Sequence, residues 1–414
     1  MKRTMAITAL LIVALSAFGQ EDRTTLDKLI NSALERNPKL KAAQSLAEAQ
    51  KSRIRPEGAL PDPSVGLSFK NMGLKEITIG EEVMSGVGIS FSQAVPFPGK
   101  LALRSKIAET RAAIAAEDVR VIRLALLREV KDLYAKLFFY KKSIALLEKK
   151  KGLLEKALRL AETKYAVGRG AQPDIFKGRV EISMIEEMIV SMSGMAASLQ
   201  ANLNSLLDYS AQSPLGELEE VPFYEFPLEL APVSEAARQG SPLLKSAGLM
   251  VEEGEQEVEM AKKEFYPNFM IQAGKDFKGR LPDMYEIMVG VEIPLYYKKK
   301  QAPLLEESRT RLTGLKHDLH SMKNEVDFMV NENFVMAEAA EDVIRLYREK
   351  ILPQAELAVE SSLINYQVDK VDFLMLLSGI SSLYSYESEY FRNLTNLWTA
   401  AAKIEELTSL EILK

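Results

Sequence analysis

From Leu126 onward, alternating steps of four and three residues land on Val130, Leu133, Leu137, Tyr140 and Ile144. They continue through Leu147, Leu154, Leu158 and Ala161 to Tyr165. Only Lys151, beside Gly152, interrupts the series. A 3.5-residue spacing held this long is a coiled-coil seam, since an ideal helix drifts off a straight seam by about 20° per heptad. The flanking positions are rich in Lys, Glu and Arg, as solvated faces are. The pattern predicts one helix over 101–165, roughly 100 Å long at 1.5 Å per residue. A turn at Gly168-Arg169-Gly170 and a return helix over 173–208 follow. Helices of this length span a distance, and a compact globule has no use for them.

The same organisation recurs. Asn37-Pro38-Lys39-Leu40-Lys41 returns as Ser241-Pro242-Leu243-Leu244-Lys245, and Val95-Pro96-Phe97 as Ile293-Pro294-Leu295. Leu160 to Tyr165 returns more loosely as Ser361 to Tyr366, and Gly152 corresponds to Pro353. Four landmarks in one order with nearly constant spacing indicate a duplicated unit. The boundaries read as 20–215 and 216–414. Each unit has the order helix, two strands, two long helices. In the first, an amphipathic helix over 25–53 is capped by Thr24 or Thr25. Leu60-Pro61-Asp62-Pro63 ends it. In the second, helices over 303–350, 354–366 and 373–413 are expected, with a break at Pro353.

The strand segments alternate. Val65, Leu67 and Phe69 share one face over 64–70, and Val87, Ile89 and Phe91 share one over 87–95. Counterparts are expected over 268–275 and 285–293. Strands of about 9–11 residues with one apolar face are what a transmembrane barrel uses. Phe69, Phe91, Phe269 and Phe277 fit an outer face, whereas Lys70, Lys275 and Lys278 limit the height of any apolar band. A soluble four-stranded sheet is the competing reading, and one chain alone would leave it open edges.

Lys2 and Arg3, an apolar run over 7–18 and the small residues at Ala17 and Gly19 read as a signal peptide over 1–19. The run is short of the roughly 20 residues a spanning helix needs. The chain has no cysteine. Disulfides and a lipid-modified cysteine are therefore excluded, and stability is expected from packing and oligomerisation. Removing Lys2 and Arg3 takes the formal charge from −5 to −7, which argues against nucleic acid as a partner. No later run reaches about 18 uncharged apolar residues, so membrane insertion would have to use strands.

These features resemble the TolC-type outer-membrane efflux proteins, in particular the CusC and CzcC branch associated with RND pumps. The resemblance spans the mature chain. It rests on Leu60-Pro61-Asp62-Pro63, on Gln93-Ala94-Val95-Pro96-Phe97-Pro98-Gly99-Lys100, on Tyr165 with Gly168, and on Tyr366-Gln367-Val368 with Val371-Asp372-Phe373-Leu374. It implies a mainly α fold with a small β portion: a duplicated long-helix coiled-coil barrel with four strands per chain. A homotrimer would close a twelve-stranded barrel in the cell outer membrane, with its surface in outer-membrane lipid and a long periplasmic portion. The implied function is the passive exit duct of a tripartite efflux system, fed by an inner-membrane RND-type pump through a periplasmic adaptor, with no cofactor. A soluble periplasmic coiled-coil scaffold or adaptor is the alternative.

By the same resemblance, the turns between long helices form an entrance gate lined by acidic residues. The matching positions are Asp372 and Asp174, with Asp369 nearby. Three copies of Asp372 around one axis would repel anions and concentrate cations. Asp174, after Pro173, reads equally as a helix N-cap. Met375 stands where some relatives carry a second acidic residue, and Asp369 where a glycine is usual. Arg169, Lys370 and Tyr366 are candidate polar links between tips, and Tyr165, Gly168 and Val368 candidate adaptor contacts. The bland readings are solvated tip charges and helix ends. His317 and His320 share one helix face without a third ligand, and most of the 17 methionines fall in heptads or strands as core filler. No nucleophile–base pair, phosphate loop or catalytic carboxylate pair is legible, so no enzymatic role is read.

Overall fold

The computed structural model of the chain describes residues 24–71, 79, 81–226 and 228–413. The signal-peptide segment lies outside the described residues. The elements are α1 (Leu26–Arg36), α2 (Pro38–Ser52), α3 (Ile54–Gly58), β1 (Ser64–Lys70), β2 (Gly86–Val95), α4 (Lys100–Ala166) and α5 (Gln172–Leu206). There follow α6 (Leu230–Gly240), α7 (Pro242–Lys263), β3 (Asn268–Phe277), β4 (Met284–Glu292) and α8 (Gln301–Leu346). A π-helical turn (Tyr347–Ile351), α9 (Leu352–Gln367) and α10 (Phe373–Thr408) complete the chain.

Two boundaries differ from expectation for proline-related reasons. The first helix is not continuous. It breaks at Asn37, whose ψ of 119° is the extended value that the following Pro38 imposes. The Asn37 side chain then accepts a hydrogen bond from Leu40 N at 3.0 Å and caps α2, so one residue ends a helix and starts the next. Ser241 before Pro242 shows the same backbone, with ψ 117°. At Pro353 the expected break is instead the π turn. Proline lacks the N–H of the regular ladder and its ring crowds the carbonyl four residues back, and widening the preceding turn accommodates both.

The chain divides into two compact units. Among the described residues, one comprises residues 24–41, 121–241 and 326–413. Its core follows the α4 seam: Leu147, Leu154, Ala157 and Ala161 meet Phe373, Leu376 and Ile380 of α10, with Ile185 of α5 and Val359 of α9. The segment after α5 is pinned by Tyr134 OH to the Glu219 carbonyl (2.8 Å) and Trp398 Nε1 to the Pro222 carbonyl (3.0 Å). Near the C-terminus, Lys131 and Glu405 form a buried pair at 2.5 Å. Glu405 also accepts the Ile412 and Leu413 amides, each at 2.6 Å, which fastens the last residues to α10.

The other unit comprises residues 42–120 and 242–325 and holds an antiparallel sheet in the order β1-β2-β3-β4. Where β2 hands over to α4, Gly99 adopts φ +85°, a conformation that glycine takes without strain. The following Lys100 is almost fully buried. Its ammonium reaches Glu264 and Asn268 at 3.0 Å each and the Tyr266 carbonyl at 3.4 Å. It thereby ties the start of α4 to the segment entering β3.

Lys131→Ala would leave Glu405 buried without its cation and should cost about 3–5 kcal/mol. Lys142→Ala should cost no more than about 1 kcal/mol, because its partner Glu220 is 79% exposed. Thermal unfolding followed by circular dichroism separates the two.

Candidate membrane face and helical tips

The register of the sheet sorts its side chains. Val65 pairs with Phe91 and Leu67 with Ile89; Phe91 pairs with Ala273, and Ala273 with Ile287. Alternation therefore puts Val65, Leu67, Phe69, Val87, Ile89, Phe91 and Val95 on one face with Phe269, Ile271, Phe277, Tyr285, Ile287, Val289 and Val291. This face is bare: Leu67 is 70% exposed, Tyr285 78% and Ile287 81%. Its polar members are accounted for. Gln93 Nε2 donates to the Pro61 carbonyl at 2.8 Å. Lys275 lies over the Phe277 and Tyr285 rings and pairs with Asp283 (3.1 Å) beyond the strands, so its stem crosses apolar surface while its charge leaves it.

The opposite face is mostly small and polar, with Ser64, Ser68, Ser90, Ser92 and Gln272 among glycines 66, 88, 274 and 290, and carries Met270, Met284 and Met288 as its large apolar members. Lys70 belongs to it. Its ammonium crosses the glycines of β2 to reach Asp276 of β3 (2.7 Å) and Glu286 of β4 (3.3 Å). A side chain at Gly88 would collide with the Asp276 carboxylate. Lys278 lies past the end of β3 and is buried, donating to the Val83 carbonyl. Of the three lysines that limited the apolar band, only Lys275 is on the apolar face.

In the other unit the two helical tips have one backbone design. After α4, Gly168 takes φ +75°, with Gly168 N bonded to Tyr165 O (2.9 Å) and Arg169 N to Lys164 O (2.8 Å). After α9, Asp369 takes φ +59°, with Asp369 N bonded to Tyr366 O (3.4 Å) and Lys370 N to Asn365 O (2.9 Å). Both are Schellman endings with a left-handed residue just past the helix. Glycine fills that position freely; aspartate is one of the few other residues that tolerates it.

Asp369 also makes the main link between the tips. Lys164, buried near the end of α4, donates to both the Asp369 carboxylate and the Tyr366 carbonyl, and lies 4.4 Å from the centre of the Tyr366 ring. The hydrogen bond from Lys164 and the nearby charge of Arg169 hold the Asp369 carboxyl below the usual carboxylate range. Burial, with Asp174 and Asp369 close by, pushes the Tyr366 hydroxyl up. Lys164 was missed in the sequence because it reads as an ordinary flank position next to the seam residue Tyr165. Its offset from Asp369 becomes meaningful only when two distant turns meet.

Of the two readings of Asp174, the helix N-cap is not the one the structure has, and it is Asp372 that caps. The N-cap of α5 is Ala171, with no side-chain cap, and Asp174 sits in the first turn, where the helix N-terminus favours an anion. Asp372 is the true cap: its carboxylate accepts from Met375 N at 2.7 Å while remaining exposed. Arg169 and Lys370 are exposed at the turns and Tyr366 is buried. Tyr165, Gly168 and Val368, the residues expected to meet an adaptor, are all exposed, Tyr165 at 46% and Val368 at 58%. His317 and His320 are exposed on α8. Among the described residues no group of three or more potential metal ligands occurs. Helix α5 is long and apolar enough to cross a membrane by length and composition. Glu186 and Glu187 interrupt its apolar stretch.

Residues 29–207 match the family profile described as Outer membrane efflux protein. That stretch, a little under half of the chain, is similar in sequence to this family. Solved structures extend the likeness over nearly the whole chain. The crystal structure of CusC superposes with a TM-score of 0.78 at 15% identity, covering 94% of this chain and 92% of that one. VceC from Vibrio cholerae gives 0.77 at 15%, covering 92% and 96%. The CmeC outer membrane channel of Campylobacter jejuni gives 0.73 at 13%, covering 92% and 85%. At such identities the likeness is one of fold, and the fold is that of the TolC-like helical-barrel channels. No curated protein matches by sequence.

The pH response of the tip follows from Asp369. A carboxyl held below its usual value contributes stability that is complete above about pH 4 and is lost as the pH falls through the depressed value. Spin labels on the two turns should keep a constant separation from pH 8 to 5 and move apart in stronger acid; Lys164→Met should separate them at every pH.

Proposed function

We propose that the chain is the outer-membrane exit duct of a tripartite efflux system, a passive conduit and not an enzyme. The observation that carries this reading is the exposed apolar sheet face backed by a small polar one. In lipid every strand must also find partners on both edges, and β1 and β4 each have one edge unpaired within the chain. Three copies joined β4 to β1 form a closed twelve-stranded barrel with its apolar face in outer-membrane lipid and its serine and glycine face on a watery lumen. The long helices line the periplasmic tunnel. The chain is a tandem duplication over 20–215 and 216–414, following the signal peptide over 1–19.

The tips form the entrance. Three copies of Asp372, exposed at the start of α10, make a carboxylate ring, with Asp174 adding negative charge and Asp369 beside it engaged by the Lys164 ammonium. In each copy Lys164 holds the α9–α10 turn to the end of α4, so the ring keeps its narrow form until an adaptor engages Tyr165, Gly168 and Val368. Arg169 and Lys370, exposed at the turns, link neighbouring copies. The driving pump is of the RND type, and it sets the substrate.

The wild-type chain should fractionate with the outer membrane and need detergent for release; recovery from the soluble periplasm would favour a scaffold role instead. Asp372→Asn keeps the helix cap and removes the charge. In planar bilayers it should weaken block by trivalent cations applied from the helical side. Lys164→Met, by releasing the tip, should raise single-channel conductance, and unchanged conductance in both variants would remove the tips from the gate.

A further inference from the structure

Where β4 ends, the chain runs through Ile293-Pro294-Leu295-Tyr296-Tyr297-Lys298-Lys299-Lys300 into α8. Ile293 continues the alternation of Tyr285, Ile287, Val289 and Val291 on the apolar face, and is 62% exposed. Leu295 and Tyr296 are 74% and 78% exposed. The turn is held by its own backbone, with Lys299 N and Lys300 N both donating to the Tyr296 carbonyl (2.9 and 3.1 Å). Behind it, Phe265 lies against Tyr297 and Tyr266 stacks on Phe97, so aromatic side chains collect at the rim where strands give way to helices. Lys298, Lys299 and Lys300 are all exposed. No carboxylate lies within salt-bridge distance of any of them among the described residues.

Beside the turn lies a cavity of about 350 Å³, walled in part by Leu295, Tyr296, Lys300 and Gln301. Gln301 is 9% exposed, and its Oε1 is buried without a hydrogen-bond partner. Two carboxylates also reach this cavity, and both are engaged: Glu264 with Lys100 (3.0 Å) and Glu292 with the Asn268 amide (3.4 Å). What is left over is cationic charge from the lysines and one buried acceptor that needs a donor.

We propose that the segment from Leu295 to Gln301 is a binding site for an anionic phospholipid at the helical rim of the membrane face. This rests on the membrane reading above. Leu295 and Tyr296 enter the interface between headgroups and acyl chains, where aromatic side chains with a polar end are favoured. The three lysines meet the headgroup phosphates, each contributing attraction to an anionic surface. The headgroup hydroxyls of phosphatidylglycerol supply the donor that Gln301 Oε1 lacks; the quaternary ammonium of phosphatidylcholine has none. This collar fixes the depth of each copy in the membrane.

The experiment uses the purified full-length oligomer in detergent, titrated with phosphatidylglycerol, phosphatidylcholine or soluble glycerol phosphate. The midpoint of its heat-induced dissociation is the readout. Phosphatidylglycerol should raise the midpoint well above phosphatidylcholine, and glycerol phosphate should leave it unchanged. Lys298→Gln/Lys299→Gln/Lys300→Gln should lose that extra shift while keeping the oligomer and its conductance, and the triple arginine variant should retain it. Equal shifts with both lipids, an equal response to glycerol phosphate, or a triple-glutamine variant that still prefers phosphatidylglycerol would overturn the proposal. Failure of the channel reading would show separately, as a chain that needs no detergent to stay in solution.

Discussion

A helix of 67 residues, such as α4, has no stability of its own commensurate with its length; it lasts because one stripe of it is out of water. Leu126, Val130, Leu133, Leu137, Leu147, Leu154 and Leu158 are all buried along that stripe. The partners they meet near its end, Phe373, Leu376 and Ile380, are the opening turns of α10. The same contact that stabilises the helix therefore brings the two tips together. Once they are adjacent, a lysine one position before the seam residue Tyr165 can reach a carbonyl and a carboxylate some two hundred residues away. The polar link is a consequence of the apolar seam.

The sheet unit answers a different constraint. Its alternation is strict, but the apolar side is the bare one, which is the reverse of what a soluble sheet does with its hydrophobic residues. The polar side mixes serines and glycines with three methionines, and its one cross-sheet strap, Lys70 with Asp276 and Glu286, works because β2 presents glycine beneath it. A sheet with two open edges and an uncovered apolar face is incomplete as a single chain. Both deficits vanish together when copies close a barrel in lipid.

The tip turns illustrate how one backbone solution tolerates different residues. Gly168 and Asp369 occupy the same left-handed position after their helices. At Asp369 the backbone cost is offset by a side chain that takes the Lys164 ammonium, so the departure from glycine is also what supplies the link. Capping shows a comparable exchange. Asp372 and Asp174 look alike in sequence, each near the start of a long helix, yet only Asp372 is spaced to bond the third amide. Asp174 sits a turn too far in and acts through its charge alone.

Periodicity determined a large part of this protein on its own. The 3.5-residue seam fixed the helices over 101–165 and 173–208 to within a residue or two, since that spacing is a property of local geometry. The alternation over 64–70 and 87–95 likewise located the strands. Prolines were read unevenly: the helix expected over 25–53 runs through Pro38, where the structure breaks it, and the break expected at Pro353 is a π turn. What required the tertiary structure were the relations between distant residues. Pairing register decided that Lys70 and Lys275 lie on opposite faces, because alternation within one strand cannot say which face its neighbour shares. The meeting of two turns decided that Lys164 is the tip link, because a side chain's partner across two hundred residues is set by packing and leaves no trace in local spacing.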